Sequence, residues 1–472
     1  MRIAILRINI FLSIFLNFLA VTATALTLDE YMELVFKKNK LVASYEISVE
    51  AANEKKIAGD LALSPHLTAG YSVTADKSEP LVIAEKRTTT SASLGVAKKF
   101  SSGTTLSLTA DTSKLYYEQP VTAGNDGFSR GGLGISLQQS LWKDFFGVGT
   151  RLRQEREETT NELEIYGIEL KKRIKLIEVE SDFWDYIIAQ EDLKLKQTNF
   201  VRAQKIDSWT LNRVNNGISD QSDLLQITAL ASLRELELAN ARDELKSREI
   251  KIKENINIAA DETLPEFTAS LKEPRSFISD LTQKKNIVKI ESYLLLLEAE
   301  LKQKSSREVE EGLRPDLSFV GRYNTSAYSL SEAEMQRNIT KTDRPVTYVG
   351  LNLSWMFGSD AKLAQISAAK KEAVAAHYRA AQAKINSENA WQIHLQKYEL
   401  SKKNVLILEK IAQLQQRRAQ AEQIKFSKGR TITSNVVNAE EGSAQAEVNY
   451  LKAKYGLRKL EATTQLFISV IE

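Results

Sequence analysis

The stretch Val349-Gly350-Leu351-Asn352-Leu353-Ser354-Trp355-Met356-Phe357-Gly358 decides the fold, together with the long tract on its C-terminal side. Apolar residues at 349, 351, 353, 355 and 357 alternate with Gly350, Asn352 and Ser354, the period-two signature of a strand with one apolar and one small polar face. After Gly358 the pattern changes. No proline occurs from 359 to 472, and Ala364, Ala368, Ala369, Ala373, Ala376, Ala380 and Ala383 form an alanine-rich face that lets neighbouring helix backbones approach closely. A strand with one apolar and one small polar face, running directly into a very long helix, is therefore expected.

The first half repeats this order. Leu67, Ala69, Tyr71, Val73 and Ala75 alternate with Thr68, Gly70, Ser72 and Thr74, and a second proline-free tract runs from about 150 to 260. Within it an apolar line steps by three and four through Leu163, Gly167, Leu170, Ile174, Ile177, Ser181, Trp184, Ile188 and Leu195, a coiled-coil-like seam. A helix of ~65 residues reaches on the order of 100 Å. Each long helix ends at a glycine turn, Asn215-Asn216-Gly217-Ile218-Ser219-Asp220 and Ser427-Lys428-Gly429-Arg430-Thr431, offset by 212 residues. Trp142-Lys143-Asp144-Phe145-Phe146-Gly147 lies at nearly the same offset from Trp355-Met356-Phe357-Gly358, so the chain reads as an internal duplication.

Further strand candidates are Thr89 to Ala97, Thr104 to Leu115, Gly132 to Trp142 and Leu317 to Tyr328. The expected layout is a signal peptide at 1–25 and two structural repeats. Repeat 26–260 holds a helix, about four strands in 66–142, a long helix 150–214 and a returning helix 220–260. Repeat 261–472 holds a helix 276–312, two strands in 316–357, a long helix 359–427 and a returning helix 433–470.

Composition agrees. The 472 residues include 26% charged and 43% hydrophobic residues but only 7 prolines and 20 glycines, a balance of long helices. Formal charge is +3, and loss of Arg2 and Arg7 with a leader leaves 62 basic against 61 acidic residues, which removes the electrostatic case for nucleic acid. Residues 1–25 have a basic start, an apolar stretch from Ile8 to Val21 and Ala23-Thr24-Ala25, which read as a secretory signal, with the mature chain starting near Leu26. There is no cysteine, hence no disulfide, thiolate metal site or acylated N-terminal cysteine. No later segment is apolar enough to cross a membrane as a helix, so a crossing must use strands.

Export, aromatic residues of the interfacial kind (Tyr71, Trp142, Tyr323, Tyr348, Trp355, Phe357) and small polar faces opposite the apolar ones point to a membrane β-barrel. Four to six strands do not close one, since such barrels take roughly eight or more and leave no edge in lipid. Several copies must pool their strands, and the attached helices then ring a channel. The fold class is mainly α with a membrane β-barrel: a coiled-coil α-barrel below a shared transmembrane barrel.

These features together resemble the TolC-like outer membrane efflux protein family over essentially the whole mature length. The order of helix, hairpin, long helix and returning helix occurs twice. The helix-to-strand junctions Leu63-Ser64-Pro65-His66-Leu67 and Leu313-Arg314-Pro315-Asp316-Leu317 match, as does the Gly429-Arg430-Thr431-Ile432 turn followed by Asn435-Val436-Val437-Asn438-Ala439. The resemblance implies a homotrimer in outer-membrane lipid. It also implies a helical tunnel in the periplasm, whose tip engages a periplasmic adaptor (membrane fusion) protein and an inner-membrane transporter. Two departures stand out. The family usually supplies two strands per repeat, whereas 66–142 offers about four, so the extra pair either widens the barrel or forms an extracellular flap. Asn435 and Asn438 stand where family members can carry aspartates at the tunnel mouth.

In the first repeat the matching positions are Asp223 and Gln226, with Asp220 nearby, and rings of like charge bias which ions pass. Asp220 either lines this periplasmic entrance or merely caps the returning helix. Lys428 and Arg430 either pair with these acids between protomers or are solvated turn charges. With Asn216, Gly217, Gly429 and Thr431 they make up the tip turns that would contact the adaptor. Catalysis and cofactors find no support. His66, His377 and His394 lack metal-ligand spacing, Gly131-Gly132-Leu133-Gly134 lies in a strand candidate, and the turn at 101–105 is not a phosphate loop. The expected function is a passive efflux or secretion duct. The rivals are a type I protein secretion outlet of the same fold and a non-conducting, envelope-spanning coiled-coil scaffold.

Overall fold

A computed structural model describes residues 26–77, 84–120, 126–259, 261–268, 286–358 and 360–469. The expected signal peptide at 1–25 lies outside the described residues. Helices α1 (Leu28–Lys38) and α2 (Lys40–Ala58) are followed by strands β1 (His66–Asp76), β2 (Ala84–Lys99), β3 (Thr104–Pro120) and β4 (Gly127–Ser140). Then come α3 (Val148–Asn215), α4 (Gln221–Asn255), β5 (Ile287–Lys289), α5 (Ile290–Gly312), β6 (Asp316–Asn324), β7 (Ala327–Ser329), α6 (Glu332–Asn338) and β8 (Val346–Ser354). The described chain closes with α7 (Asp360–Ser427), α8 (Thr433–Thr463) and β9 (Phe467–Ser469). Both α3 and α7 run for 68 residues.

Several boundaries differ from expectation for local reasons. The first helix is two, because Asn39 adopts an extended backbone. Its side chain accepts from the Leu41 and Val42 amides at 3.0 and 3.1 Å and donates to the Asn255 carbonyl at 2.8 Å, starting α2 and closing α4 together. Helix α4 stops at Asn255 rather than 260, just before Asn257 at φ +51°. The helix expected from 276 begins at Ile290. Ile287–Lys289 instead pairs antiparallel with Phe467–Ser469, which also ends α8 at Thr463 rather than 470; residues 276–285 lie outside the described residues. Between 316 and 329 the expected single strand is interrupted at Thr325, whose hydroxyl accepts from Leu133 N (2.9 Å) and donates to Ile339 O (2.6 Å).

The chain divides into two compact units. One comprises Glu50–Tyr166 and Leu294–Ala383. Its strands make one antiparallel sheet in the order β1-β2-β3-β4-β6-β8, with β7 added to β4. Pro65 and Pro315 immediately precede β1 and β6, where a missing amide donor costs no ladder bond. The helical part of this unit is a row stitched by ion pairs. Lys55–Glu164 and Lys56–Glu158, each 2.6 Å, join α2 to α3, and Arg156–Glu308 (2.6 Å) joins α3 to α5. Lys302–Glu372 (2.9 Å) and Arg379–Glu298 (3.3 Å) join α5 to α7. Of the alanine face, Ala376, Ala380 and Ala383 are buried.

The other unit comprises Met1–Val49, Gly167–Tyr293 and Lys384–Glu472. Its core is aromatic: Tyr31 stacks on Phe183 at 5.2 Å, and Phe267 meets both edge-on at 5.7 and 5.9 Å. The buried line of α3 here is Leu176, Val179, Phe183 and Ile187 together with Trp184 of the expected seam, whereas Ile174 of that seam is 47% exposed. The large rings had a partner inside the chain, and packing them rotates the smaller seam residues to the flank. A buried polar cluster joins α3 to the C-terminal segment. Arg458 pairs with Glu461 at 2.7 Å and lies over the Trp184 ring, while Gln465 donates to Glu180 at 2.9 Å.

His394, one of the three histidines that lack metal-ligand spacing, packs between Trp391 and Phe467 with Nε2 2.7 Å from the Thr464 hydroxyl. Burial first, then Lys289 and Lys397, lower its pKa from 6.5 to about 4. The unfolded chain thus binds the extra proton first, and this site loses stability as pH falls from about 6.5 towards 4, with no further loss below. Thermal unfolding followed by helix ellipticity will show a steeper acid decline for wild type than for His394→Gln in that window. Parallel curves would refute it.

Candidate functional site

Two features are candidates for the functional surface, one in each unit. In the sheet, residues opposite one another share a face. One row runs Leu67, Val96, Leu108, Ile135 and Tyr323 across five strands, and the next rows add Leu94, Leu133, Leu106 and Leu137 on the same face. In β8 the same face carries Val349, Leu351 and Leu353, opposite Gly321, Phe319 and Leu317. This face is bare: Leu67 is 67%, Leu108 52% and Leu351 66% exposed. The opposite face carries Thr68, Ser93, Ser107, Ser136, Arg322 and Asn352 at equivalent positions. Tyr71, Trp142, Tyr348, Trp355 and Phe357 are exposed. Among the described residues, the outer edges of β1 and β8 have no strand neighbour.

Where β4 gives way to α3 the backbone is strained. Asp144 and Phe146 take positive φ of 58° and 42°, and Gly147 takes 82°, where an added Cβ would collide with the Ser101 carbonyl oxygen. Asp144 holds the junction. Its carboxylate accepts from Thr150 N and Oγ1, both at 2.7 Å, and from Lys99 Nζ at 2.9 Å, while its amide donates to Glu311 at 3.1 Å. Burial opposes the charged form, but these hydrogen bonds prevail and the carboxyl titrates below the usual aspartate range. The turn after β2, the start of α3 and the end of α5 are thereby tied together. Gly131 has another reason to be glycine: a Cβ there would lie 2.6 Å from the sulfur of Met335, a completely buried residue of α6.

In the other unit, both helical turns close alike. Gly217, at φ +68°, donates to Val214 O at 3.0 Å, and Ile218 donates to Arg213 O at 2.8 Å. Gly429, at φ +70°, donates to Phe426 O at 3.0 Å, and Arg430 donates to Lys425 O at 2.8 Å. Every partner is displaced by the same offset seen in the sequence. A shared core holds the turns at one place: Ile206 of α3, Ile227 and Leu230 of α4, Phe426 of α7, and Val436 and Val437 of α8.

The expected entrance and tip residues come out as follows. Asp220 occupies the N-cap of α4, but its side chain makes no capping hydrogen bond, so the simple capping role fails. Asp220, Gln226, Asn435 and Asn438 are exposed and Asp223 is half-buried. Asn435 donates to Thr431 Oγ1 at 3.2 Å, and Thr431 donates to Glu422 at 2.9 Å. Asn216, Lys428, Gly429 and Arg430 are exposed, and among the described residues Lys428 and Arg430 form no ion pair within the chain. The cation that does cross between the turns is Arg213, which was not anticipated. Its Nε donates to Ser219 Oγ at 3.1 Å, its Nη1 donates to Phe426 O at 3.0 Å, and its plane lies 4.7 Å over the Phe426 ring. Its one sequence signal was an arginine in the last turn of a helix, where a cation meets free carbonyls.

No family model and no curated protein matches the sequence. Solved structures do match. The outer-membrane channel OprN aligns at 16% identity with a TM-score of 0.64, over 93% of this chain and 89% of that one. The outer membrane protein VceC from Vibrio cholerae aligns at 11% identity with a TM-score of 0.66, over 93% and 95%. The open state of the Neisseria gonorrhoeae MtrE outer membrane channel aligns at 14% identity with a TM-score of 0.62, over 92% and 87%. The chain has the fold of these channels, and the resemblance read from its sequence holds at the level of fold.

Replacing Arg213 with Ala removes a hydrogen bond within the first turn together with the hydrogen bond and ring contact to Phe426 that join the two turns, worth about 1–3 kcal/mol in all. Amide hydrogen exchange will then accelerate roughly tenfold or more at both 214–219 and 426–430, with Lys only partly restoring protection. Unchanged exchange at either turn would show that Arg213 does not clasp them.

Proposed function

We propose that the chain is one protomer of a homotrimeric outer-membrane duct that conducts solutes or polypeptides passively to the exterior. One observation carries this reading: an open sheet with a bare apolar face, a small polar face behind it and two free edges, in a chain sharing the fold of outer-membrane channels over 93% of its length. Lipid would cover the apolar face, water the polar one, and neighbouring copies the edges. Copies joined through the sheet would also bring their helices together, since the helical row of the same unit ends in exposed Ile57 on α2 and exposed Leu363 and Tyr378 on α7.

In this reading residues 1–25 direct export, the two repeats at 26–260 and 261–472 descend from a duplication, and the matched turns of Gly217 and Gly429 form the periplasmic tip. Direction and energy come from a periplasmic adaptor docking on the tip and from an inner-membrane transporter. That pump decides whether the cargo is a small molecule, as in efflux, or a polypeptide, as in type I secretion. Asp220 and Asp223, repeated three times, would supply the acidic part of the entrance, with Gln226, Asn435 and Asn438 uncharged beside them.

Purified trimers in planar bilayers will give discrete current steps with a preference for cations, and the double substitution Asp220→Asn and Asp223→Asn will weaken that preference. Silent bilayers from assembled trimers would overturn the duct in favour of a non-conducting scaffold. Unaltered selectivity in the double variant would move the entrance elsewhere.

A further inference from the structure

The pair β2–β3 is the part of the sheet that a two-strand repeat lacks, and its placement in the structure is specific. It does not stand off the sheet. Strand β1 pairs with β2 along its whole length, from His66 opposite Ala97 to Asp76 opposite Arg87, and β3 pairs with β4 from Thr104 opposite Gln139 to Tyr116 opposite Gly127. Were the pair a flap, β1 and β4 would be neighbours. Instead β2 and β3 separate them.

Two further observations agree. The turn between β2 and β3 lies at the helix end of the sheet: Lys99 binds Asp144 at the start of α3, and Ser140 donates to Gly103 O at 3.3 Å. A flap on the outer surface would have no reason to return there. The pair also continues both faces without a break. Leu94, Val96 and Leu108 are 50%, 41% and 52% exposed on the apolar side, while Ser93 and Ser107 lie on the other. Three large apolar side chains left in water would each forfeit burial worth about 1.5–3 kcal/mol, whereas in lipid they are at home.

We infer that β2 and β3 belong to the barrel wall, so that each copy supplies six membrane strands and three copies close an eighteen-stranded barrel by pairing β1 of one with β8 of the next. This rests on the trimeric duct proposed above. Directions allow the closure: the six strands alternate, so β1 and β8 run oppositely and their junction is antiparallel. At a strand spacing of ~4.8 Å and a tilt of ~40°, eighteen strands enclose a backbone diameter of about 36 Å, against about 24 Å for twelve. The outer mouth is then porin-like in width, and selection of cargo by size falls to the helical tip.

The absence of cysteine from the chain makes the test clean. Single variants Ser93→Cys, Ser107→Cys, Leu94→Cys and Leu108→Cys in the full chain, assembled in lipid nanodiscs, are treated with a charged, membrane-impermeant maleimide. Ser93→Cys and Ser107→Cys will react at least tenfold faster than Leu94→Cys and Leu108→Cys. Equal reaction at all four would place the pair outside the membrane and overturn the inference. Electron cryomicroscopy of the unmodified assembly will count eighteen strands around a three-fold axis, and twelve would overturn it. A six-strand contribution per copy around another axis would keep the pair in the wall and refute the trimer instead.

Discussion

Backbone amides and carbonyls at the edge of a sheet need partners, and in hydrocarbon water is not there to supply them. In the duct proposed above, that constraint governs this molecule. The six-stranded order β1-β2-β3-β4-β6-β8 satisfies every strand but leaves two margins, and the row from Leu67 through Tyr323 leaves an apolar surface that no other part of the unit covers. A water-soluble sheet would lay a helix over such a face. Here the helices of the same unit instead stand in their own row, linked edge to edge by ion pairs from α2 through α3 and α5 to α7.

The passage from strand to helix concentrates the conformational strain. Asp144 and Phe146 sit at positive φ, which side-chain-bearing residues adopt only when their surroundings insist. The insistence comes from Asp144 itself, whose carboxylate gathers Lys99 and Thr150 while its amide reaches Glu311. One acid thus fixes the angle at which β4 becomes a very long helix. The second passage, from β8 to α7, has no counterpart to it among the described residues, and Gly358 there meets no neighbouring atom that would resist a side chain.

Much of this was legible because periodicity survives in any context. Alternation located the strands, and the lack of proline located α3 and α7 to within about two residues of their observed ends. The turns at Gly217 and Gly429 were readable since only glycine takes the left-handed conformation cheaply. What could not be read was the choice among alternatives of similar pattern. The seam through Ile174 and Ile177 fits a helix as well as the line through Leu176, Val179 and Phe183, and only the presence of Tyr31 and Phe267 across the fold selects the latter. Arg213 was likewise invisible. Its partners Ser219 and Phe426 lie 6 and 213 residues away, and the longer pairing exists only once the two hairpins share a core.

The bare margins of the sheet have a consequence for the life of the chain before it reaches its destination. A solitary copy in water presents, on both sides, a template to which any passing extended segment will add, including a second copy in the wrong order. Its hairpins close locally and quickly, but in the proposed assembly correct completion depends on meeting its own kind, and so on concentration. Synthesis outpacing that assembly would then yield aggregates rather than idle monomers.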